Sequence, residues 1–127
     1  MKIHHAAIYV EDLIAARDFF VNYFEGIPNQ GYHNEKTDFR SFFLRFEDGS
    51  QLELMTRPNL TPGENGASRC GYAHLAFSVG SREAVDQLTQ RLRQDDYALV
   101  SGPRTTGDGY YESCIRGIEE NLIEITI

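Results

Sequence analysis

Two histidines and two glutamates in this chain stand at matching places in two similar phrases. His5 opens His5-Ala6-Ala7-Ile8-Tyr9-Val10, and His74 opens His74-Leu75-Ala76-Phe77-Ser78-Val79. Glu53 lies within Gln51-Leu52-Glu53-Leu54, and Glu124 within Leu122-Ile123-Glu124-Ile125. The separations are 48 residues from His5 to Glu53 and 50 from His74 to Glu124, so the two halves nearly superpose as a repeat. Two imidazoles and two carboxylates form a nitrogen/oxygen ligand set suited to Ni, Co, Mn, Fe or Zn. The carboxylates cancel the ion's +2 charge, and four ligands leave two octahedral positions for a substrate with neighbouring oxygens. Taken singly, a strand histidine is more often structural, and a glutamate on a strand's polar face is usually just solvated. Recurrence of both residue types at the same module position is what favours one divalent-metal site.

Elements that could position these groups follow from periodicity. Each half reads as a βαβββ module. A strand near 3–10 leads to Asp12 as a helix N-cap and to Leu13, Ala16, Phe19, Phe20, Tyr23 and Phe24 at helical spacing. Gly26 stops that helix and Pro28 keeps it from resuming. Strands are predicted near 30–36, 39–47 and 51–56, with Asp48-Gly49 as the turn before the last. In the second half a strand at about 71–79 precedes the N-cap Ser81. A helix over 82–94 buries Ala84, Val85, Leu88 and Leu92, and strands follow near 97–101, 109–116 and 121–127. Strand parity separates the faces: Ile8 and Val10, Leu52 and Leu54, Leu75 and Phe77, and Ile123 and Ile125 point one way. His5, Glu53, His74 and Glu124 point the other way, among small or polar residues. The expected fold class is α+β: two tandem βαβββ modules forming a curved mixed sheet, with helices on the convex side. Module one covers 1–56 and module two 70–127. A Pro- and Gly-bearing linker at 57–69 joins them, and all 127 residues make a single domain.

Bulk properties narrow the function. The composition is that of a soluble globular protein, 41% hydrophobic and 24% charged. A net charge of −7 argues against nucleic acid and anionic membranes as partners. No apolar run approaches the roughly 20 residues of a membrane span, and Met1-Lys2-Ile3-His4 enters a strand without a signal-peptide pattern. Cys70 and Cys114 lack any metal-binding or redox spacing and read as free thiols of a cytoplasmic protein.

The ordered set of phrases is similar to the vicinal oxygen chelate superfamily, in its glyoxalase I-like branch (glyoxalase/bleomycin resistance/dioxygenase proteins). The residues that carry the resemblance are His5-x-Ala-x-x-Val, Leu52-Glu53-Leu54 and Gly71-Tyr72-Ala73-His74-Leu75-Ala76-Phe77-Ser78-Val79. To these are added Asp108-Gly109-Tyr110-Tyr111-Glu112 and Asn121-Leu122-Ile123-Glu124-Ile125. The resemblance spans essentially the whole chain. It implies one divalent ion held by His5, Glu53, His74 and Glu124, no organic cofactor, a homodimer, and a small-molecule substrate such as an adduct of glutathione or another thiol. It further implies lyase or isomerase chemistry of the glyoxalase I type, in which a hemithioacetal of an α-ketoaldehyde becomes a thioester. Glu124 is then the proton-moving base, and Glu53 the opposite candidate. Gly117-Ile118-Glu119-Glu120-Asn121 departs from the Asp-Pro turn that many relatives place before the last strand. Arg40, Arg45 and Arg104 are candidates for a substrate carboxylate, although surface charge is their commoner role. Alternative chemistries in the same superfamily are Fe(II) ring-cleaving dioxygenation, epimerisation beside a thioester and thiol transfer to fosfomycin. The non-enzyme alternative is a bleomycin-resistance-type binding protein with an acidic, aromatic groove, for which Tyr9, Tyr32, Tyr72, Tyr110 and Tyr111 are available.

Overall fold

A computed structural model describes residues 1, 3–61 and 70–127. The expected linker at 57–69 therefore falls in part, at 62–69, outside the described residues. The chain forms two compact units, Met1–Gly63 and Glu64–Ile127. The expected α+β fold of two tandem modules is what it adopts, each module with its own mixed sheet.

The first unit runs β1 (Ala6–Tyr9), α1 (Leu13–Phe24), β2 (Ile27–Pro28), β3 (Tyr32–Asn34), β4 (Phe39–Arg45) and β5 (Gln51–Thr56). Asp12 caps α1, its carboxylate accepting from the Ile14 and Ala15 amides at 3.1 and 2.9 Å. The helix ends one residue before the predicted stop, with Glu25 itself in the left-handed conformation at φ 56°. Gly26 is instead needed for close packing: a Cβ there would lie 3.3 Å from the Phe46 ring. Strands join in the order β1-β5-β4-β2, and β3 also pairs with β4. β1 runs parallel to β5, and the other pairs are antiparallel. The strand expected near 30–36 is the shorter β3, and an unexpected two-residue β2 precedes it across a break. The Asn29 side-chain oxygen accepts from the Gly31 and Phe43 amides at the break. Gly31 turns the chain there at φ 81°, where a Cβ would meet the Phe42 ring at 2.8 Å. Val10, Leu13, Ala16, Phe19, Phe20, Phe24, Leu44, Leu52 and Leu54 are buried between α1 and its sheet. Each large side chain among them is worth roughly 1.5–3 kcal/mol against exposure.

The second unit runs β6 (Leu75–Ser78), α2 (Arg82–Gln94), β7 (Ala98–Thr105), β8 (Tyr111–Arg116), a 3-10 turn (Ile118–Glu120) and β9 (Leu122–Thr126). Strand order is β6-β9-β8-β7, with β6 parallel to β9, so the module repeats the first topology. Ser81 caps α2 as its sequence position predicts, accepting from the Ala84 amide at 3.1 Å. The buried face of α2 carries Val85, Thr89 and Leu92, whereas Ala84 and Leu88 are half-buried. Thr89 was not expected inside. It is tolerated because its hydroxyl donates to the Val85 carbonyl at 2.6 Å and meets Ser113 Oγ at 2.6 Å. One hydroxyl has one proton, so Ser113 is the donor in the second bond. β7 extends beyond the predicted 97–101 through Gly102 and Pro103, with register shifts flanking Ser101. A side chain at Gly102, φ 80°, would collide with the Glu112 carbonyl of the neighbouring strand.

Candidate functional site

Strand register sets the candidate ligands in two equivalent pairs. In the first unit Ala7 is the register partner of Glu53 on β5. His5 lies two residues before Ala7, hence on the same face. The methyl group of Ala7 leaves space for the imidazole and carboxylate to approach, and His5 Nε2 lies 3.6 Å from Glu53 Oε2. In the second unit Ala76 partners Glu124 on β9. His74, again two residues earlier, brings Nε2 to 3.0 Å from Glu124 Oε2. The imidazoles are 34% and 38% exposed and the carboxylates 15% and 22%. Each pair is therefore partly open to a ligand, its imidazole more than its carboxylate. Within neither unit do three or more His, Cys, Asp or Glu side chains cluster as a metal site, among the described residues.

The donor chemistry of each pair suits a divalent ion. Two ligands about 2.1 Å from one ion at a right angle lie about 3.0 Å apart. The second pair has that spacing, and the 3.6 Å of the first corresponds to a wider angle. Both pairs bring Nε2 and one carboxylate oxygen together, a contact that an imidazole N–H and a carboxylate also make directly.

The surroundings of the pairs differ. Phe43 is the cross-strand neighbour of Glu53 on β4, and its ring meets His5 edge-on, centroids 5.1 Å apart. His4 also meets His5, Nδ1 to Nδ1, at 2.8 Å. The corresponding neighbour of Glu124 is Cys114 on β8. Burial pushes the Cys114 thiol pKa up, and the Glu124 and Glu112 carboxylates add to the rise while Arg116 opposes it. Both cysteines are free thiols.

A second feature lies on the same face of the first unit. Glu53, Met55 and Arg57 alternate to one side, and Met55 is the register partner of Tyr9. The Arg57 guanidinium lies 5.2 Å from the centroid of the Tyr9 ring. The two line an open cavity of ≈ 490 Å³ with Asn34, Thr37, Phe39, Pro58 and Asn59. Arg57 forms no salt bridge among the described residues, whereas Arg40 is bound to Asp38 at 3.0 Å. His33 holds the same Asp38 oxygen at 2.8 Å, and these bonds, the His33 one foremost, lower the Asp38 pKa. Arg104 stands opposite Glu112 in the β7–β8 register, and Arg45 opposite Gln51. Sequence inspection singled out Arg40, Arg45 and Arg104 and passed over Arg57, which shares strand parity with Glu53.

The departure at 117–121 is accommodated without proline. Glu119 and Glu120 take left-handed conformations at φ 50° and 62°. Asn121 closes the turn through its side-chain amide on the Ile118 carbonyl at 3.0 Å. Glu124 thus follows a defined turn although the usual residues are missing.

Similarity to known proteins bears on the family and the fold. An uncharacterized protein of Bacillus subtilis, YqjT, is 29% identical over 116 residues, covering 86% of this chain and 85% of that protein. Trypanothione-dependent glyoxalase I of Leishmania major superposes with a TM-score of 0.79 at 18% identity, over 99% of this chain and 86% of the other. A mutant of the fosfomycin resistance protein FosX of Listeria monocytogenes, complexed with Mn(II) and 1S,2S-dihydroxypropylphosphonic acid, superposes with a TM-score of 0.77 at 19% identity. That match covers 98% of this chain and 90% of the other. The structural likenesses speak for the fold. The family model matches residues 2–125, a span that takes in both modules and all four His and Glu positions, and so this chain belongs to the Glyoxalase/Bleomycin resistance protein/Dioxygenase superfamily.

Proposed function

We propose that this protein is a divalent-metal-dependent lyase or isomerase of the glyoxalase I type, with His5, Glu53, His74 and Glu124 as the ligands of one Ni, Co, Zn, Mn or Fe ion. The observation that carries the reading is the paired geometry. The same Nε2-to-carboxylate contact recurs at equivalent register positions, at 3.6 and 3.0 Å. FosX is complexed with Mn(II), and another structural neighbour is a glyoxalase I; both support metal-assisted chemistry on small molecules.

The substrate is a hemithioacetal or a related molecule with two neighbouring oxygens, carried by glutathione or another thiol. When bound, the ion supplies Lewis-acid stabilisation of the charge that develops on a substrate oxygen. Glu124 would take the proton from the carbon that bears the hydroxyl and return it to the adjacent carbonyl carbon, while the hydroxyl proton passes to the former carbonyl oxygen, which leaves a 2-hydroxy thioester. Glu53 is the opposite candidate for that transfer. Arg57 lies about 13 Å along the extended chain from Glu53, a reach that suits an anionic group at the far end of the substrate. The protein acts in the cytoplasm as a homodimer, with Cys70 and Cys114 reduced.

The deciding experiment is metal analysis of protein purified without chelator, followed by hemithioacetal isomerisation with Ni, Co, Mn and Zn. Expected is metal-dependent turnover that falls about 10²–10⁴-fold in Glu124→Gln. Undiminished turnover in that variant, with loss in Glu53→Gln, assigns the proton transfer to Glu53. Protein that takes up none of these ions overturns the reading in favour of a metal-free binding protein.

A further inference from the structure

The two repeats differ on the helix side of their sheets. Tyr111 stands three residues before Cys114, the cross-strand neighbour of Glu124, and Arg40 stands three before Phe43, the neighbour of Glu53. Asp86 lies five residues after the cap of α2, and Arg17 five after the cap of α1. Arg82 and Leu13 are the first residues of the two helices. In the second repeat these positions form a latch. The Tyr111 hydroxyl donates to Asp86 at 2.7 Å, and the Arg82 guanidinium lies 4.3 Å from the centroid of the Tyr111 ring. In the first repeat the same positions cannot close in this way. Arg40 and Arg17 are both cations, and each pairs with a near neighbour in sequence, Arg40 with Asp38 at 3.0 Å and Arg17 with Asp18 at 2.7 Å.

An open cavity of ≈ 760 Å³ occupies that place, between the first turn of α1 and the β3–β4 hairpin. Phe42 lines it and pairs in register with Leu54, which is buried. Glu53 lies on the opposite face of the same sheet. The walls combine apolar and aromatic surface with negative charge. Ile14 and Tyr32 line the cavity and are 50% and 56% exposed, so both remain open to a ligand. Arg40 lines it from the hairpin, but its Nε and one terminal nitrogen both donate to the Asp38 oxygen that His33 also meets. Its charge is therefore met within the hairpin. Asp12 lines the cavity and caps α1, whose N-terminal dipole offsets part of its charge. Glu11 adds a second carboxylate, so the charge of the lining, with Asp38 counted against Arg40, is negative.

We propose that this cavity is a second small-molecule site, one that takes an organic cation with an aromatic or apolar body. An open aromatic face such as that of Tyr32 attracts an ammonium group through its ring quadrupole. The Glu11 and Asp12 carboxylates add attraction over a longer range, and the body of the ligand covers the apolar surface of Ile14 and Phe42. An anion of the same shape meets repulsion from those carboxylates, and a neutral molecule gains only the apolar part. The cavity shares no residue with the His5–Glu53 pair or with the cavity beside Arg57. Its occupancy is therefore independent of the metal reading above.

The test is titration of the isotope-labelled protein with benzyltrimethylammonium, followed by amide NMR, with benzoate and benzyl alcohol as the anionic and neutral comparisons. Saturable shifts are expected at Ile14, Gly31 and Phe42 with a Kd on the order of 1 mM, and weaker binding of both comparison molecules. Tyr32 is exposed, so Tyr32→Leu should leave the fold intact and weaken the cation about two- to fivefold. The double variant Arg17→Asp/Arg40→Tyr transplants the latch of the second repeat. It should abolish binding even though it makes the protein more negative, while amide signals away from the cavity stay in place. His5→Ala should bind the probe as wild type does. The proposal is overturned by absence of saturable shifts at these residues, by benzoate binding as tightly as the cation, or by undiminished affinity in Tyr32→Leu. Loss of binding in His5→Ala also overturns it, because that result puts the probe on the other face of the sheet.

Discussion

At the scale of single residues, the proposed function assigns Arg57 to holding a substrate and the glutamates to acting on it. Arg57 is held by the Tyr9 ring and lacks a carboxylate partner among the described residues. A substrate anion can therefore engage it without first displacing an internal salt bridge. A charge-assisted hydrogen bond contributes about 1.5–3 kcal/mol, and a contact made equally in ground and transition states appears in KM alone. Arg57→Ala should therefore raise KM for an anionic thiol adduct roughly 10–100-fold with kcat nearly unchanged, and Arg57→Lys should recover part of the loss. Steady-state kinetics with an uncharged thiol adduct provides the contrast, since its KM should not respond. Cys114 gives a second residue-scale expectation. Its pKa is raised, so at a given pH less of it is thiolate, the form that reacts with alkylating agents. In metal-free protein at about pH 8, iodoacetamide should label exposed Cys70 well before Cys114, as followed by peptide mass spectrometry.

At the scale of elements, the readable parts of the sequence were those in which one physical signal dominated. Alternation placed β4, β5, β8 and β9 within a residue or two, and Asp12 and Ser81 marked the helix starts by their capping side chains. What escaped notice depended on partners distant in sequence. The break between β2 and β3 is held by Asn29 across to Phe43, and β7 runs past Gly102 and Pro103 because its partner strand stays in reach. Thr89 reads as a polar interruption in the apolar stripe of α2 until Ser113, 24 residues away, is seen beside it. That buried pair ties α2 to β8, and both hydroxyls are almost wholly removed from water. Thr89→Val should lower stability by about 1–3 kcal/mol, because it strands the buried Ser113 hydroxyl, and Ser113→Ala should cost less, because the Thr89 hydroxyl still donates to the Val85 carbonyl. The double variant should cost less than the sum of the two. Denaturant unfolding of the four proteins measures the coupling, and strict additivity would show that the hydroxyls act independently.

At the scale of the whole molecule, duplication is the organising fact. Each repeat builds the same parallel pair, β1 with β5 and β6 with β9, and sets an alanine opposite a glutamate, Ala7 against Glu53 and Ala76 against Glu124. The His and Glu identities were legible because the repeat placed them in register twice. Their pairing distances were not, because these depend on ring and carboxylate orientation, which strand parity leaves open. Two equivalent pairs allow two ways of binding metal, and these differ in stoichiometry. If each pair acted alone, a chain would take two ions weakly, and His5→Ala would leave one of them in place. If the four side chains form one ligand set, a chain takes a single ion. His5→Ala and His74→Ala would then each weaken that binding by several orders of magnitude, since an octahedral site loses one of only four protein ligands. We expect one ion per chain, measured by elemental analysis against protein concentration, and parallel losses in the two alanine variants. Two ions per chain, or a variant that keeps wild-type affinity at half the wild-type stoichiometry, would replace the shared site with two independent ones.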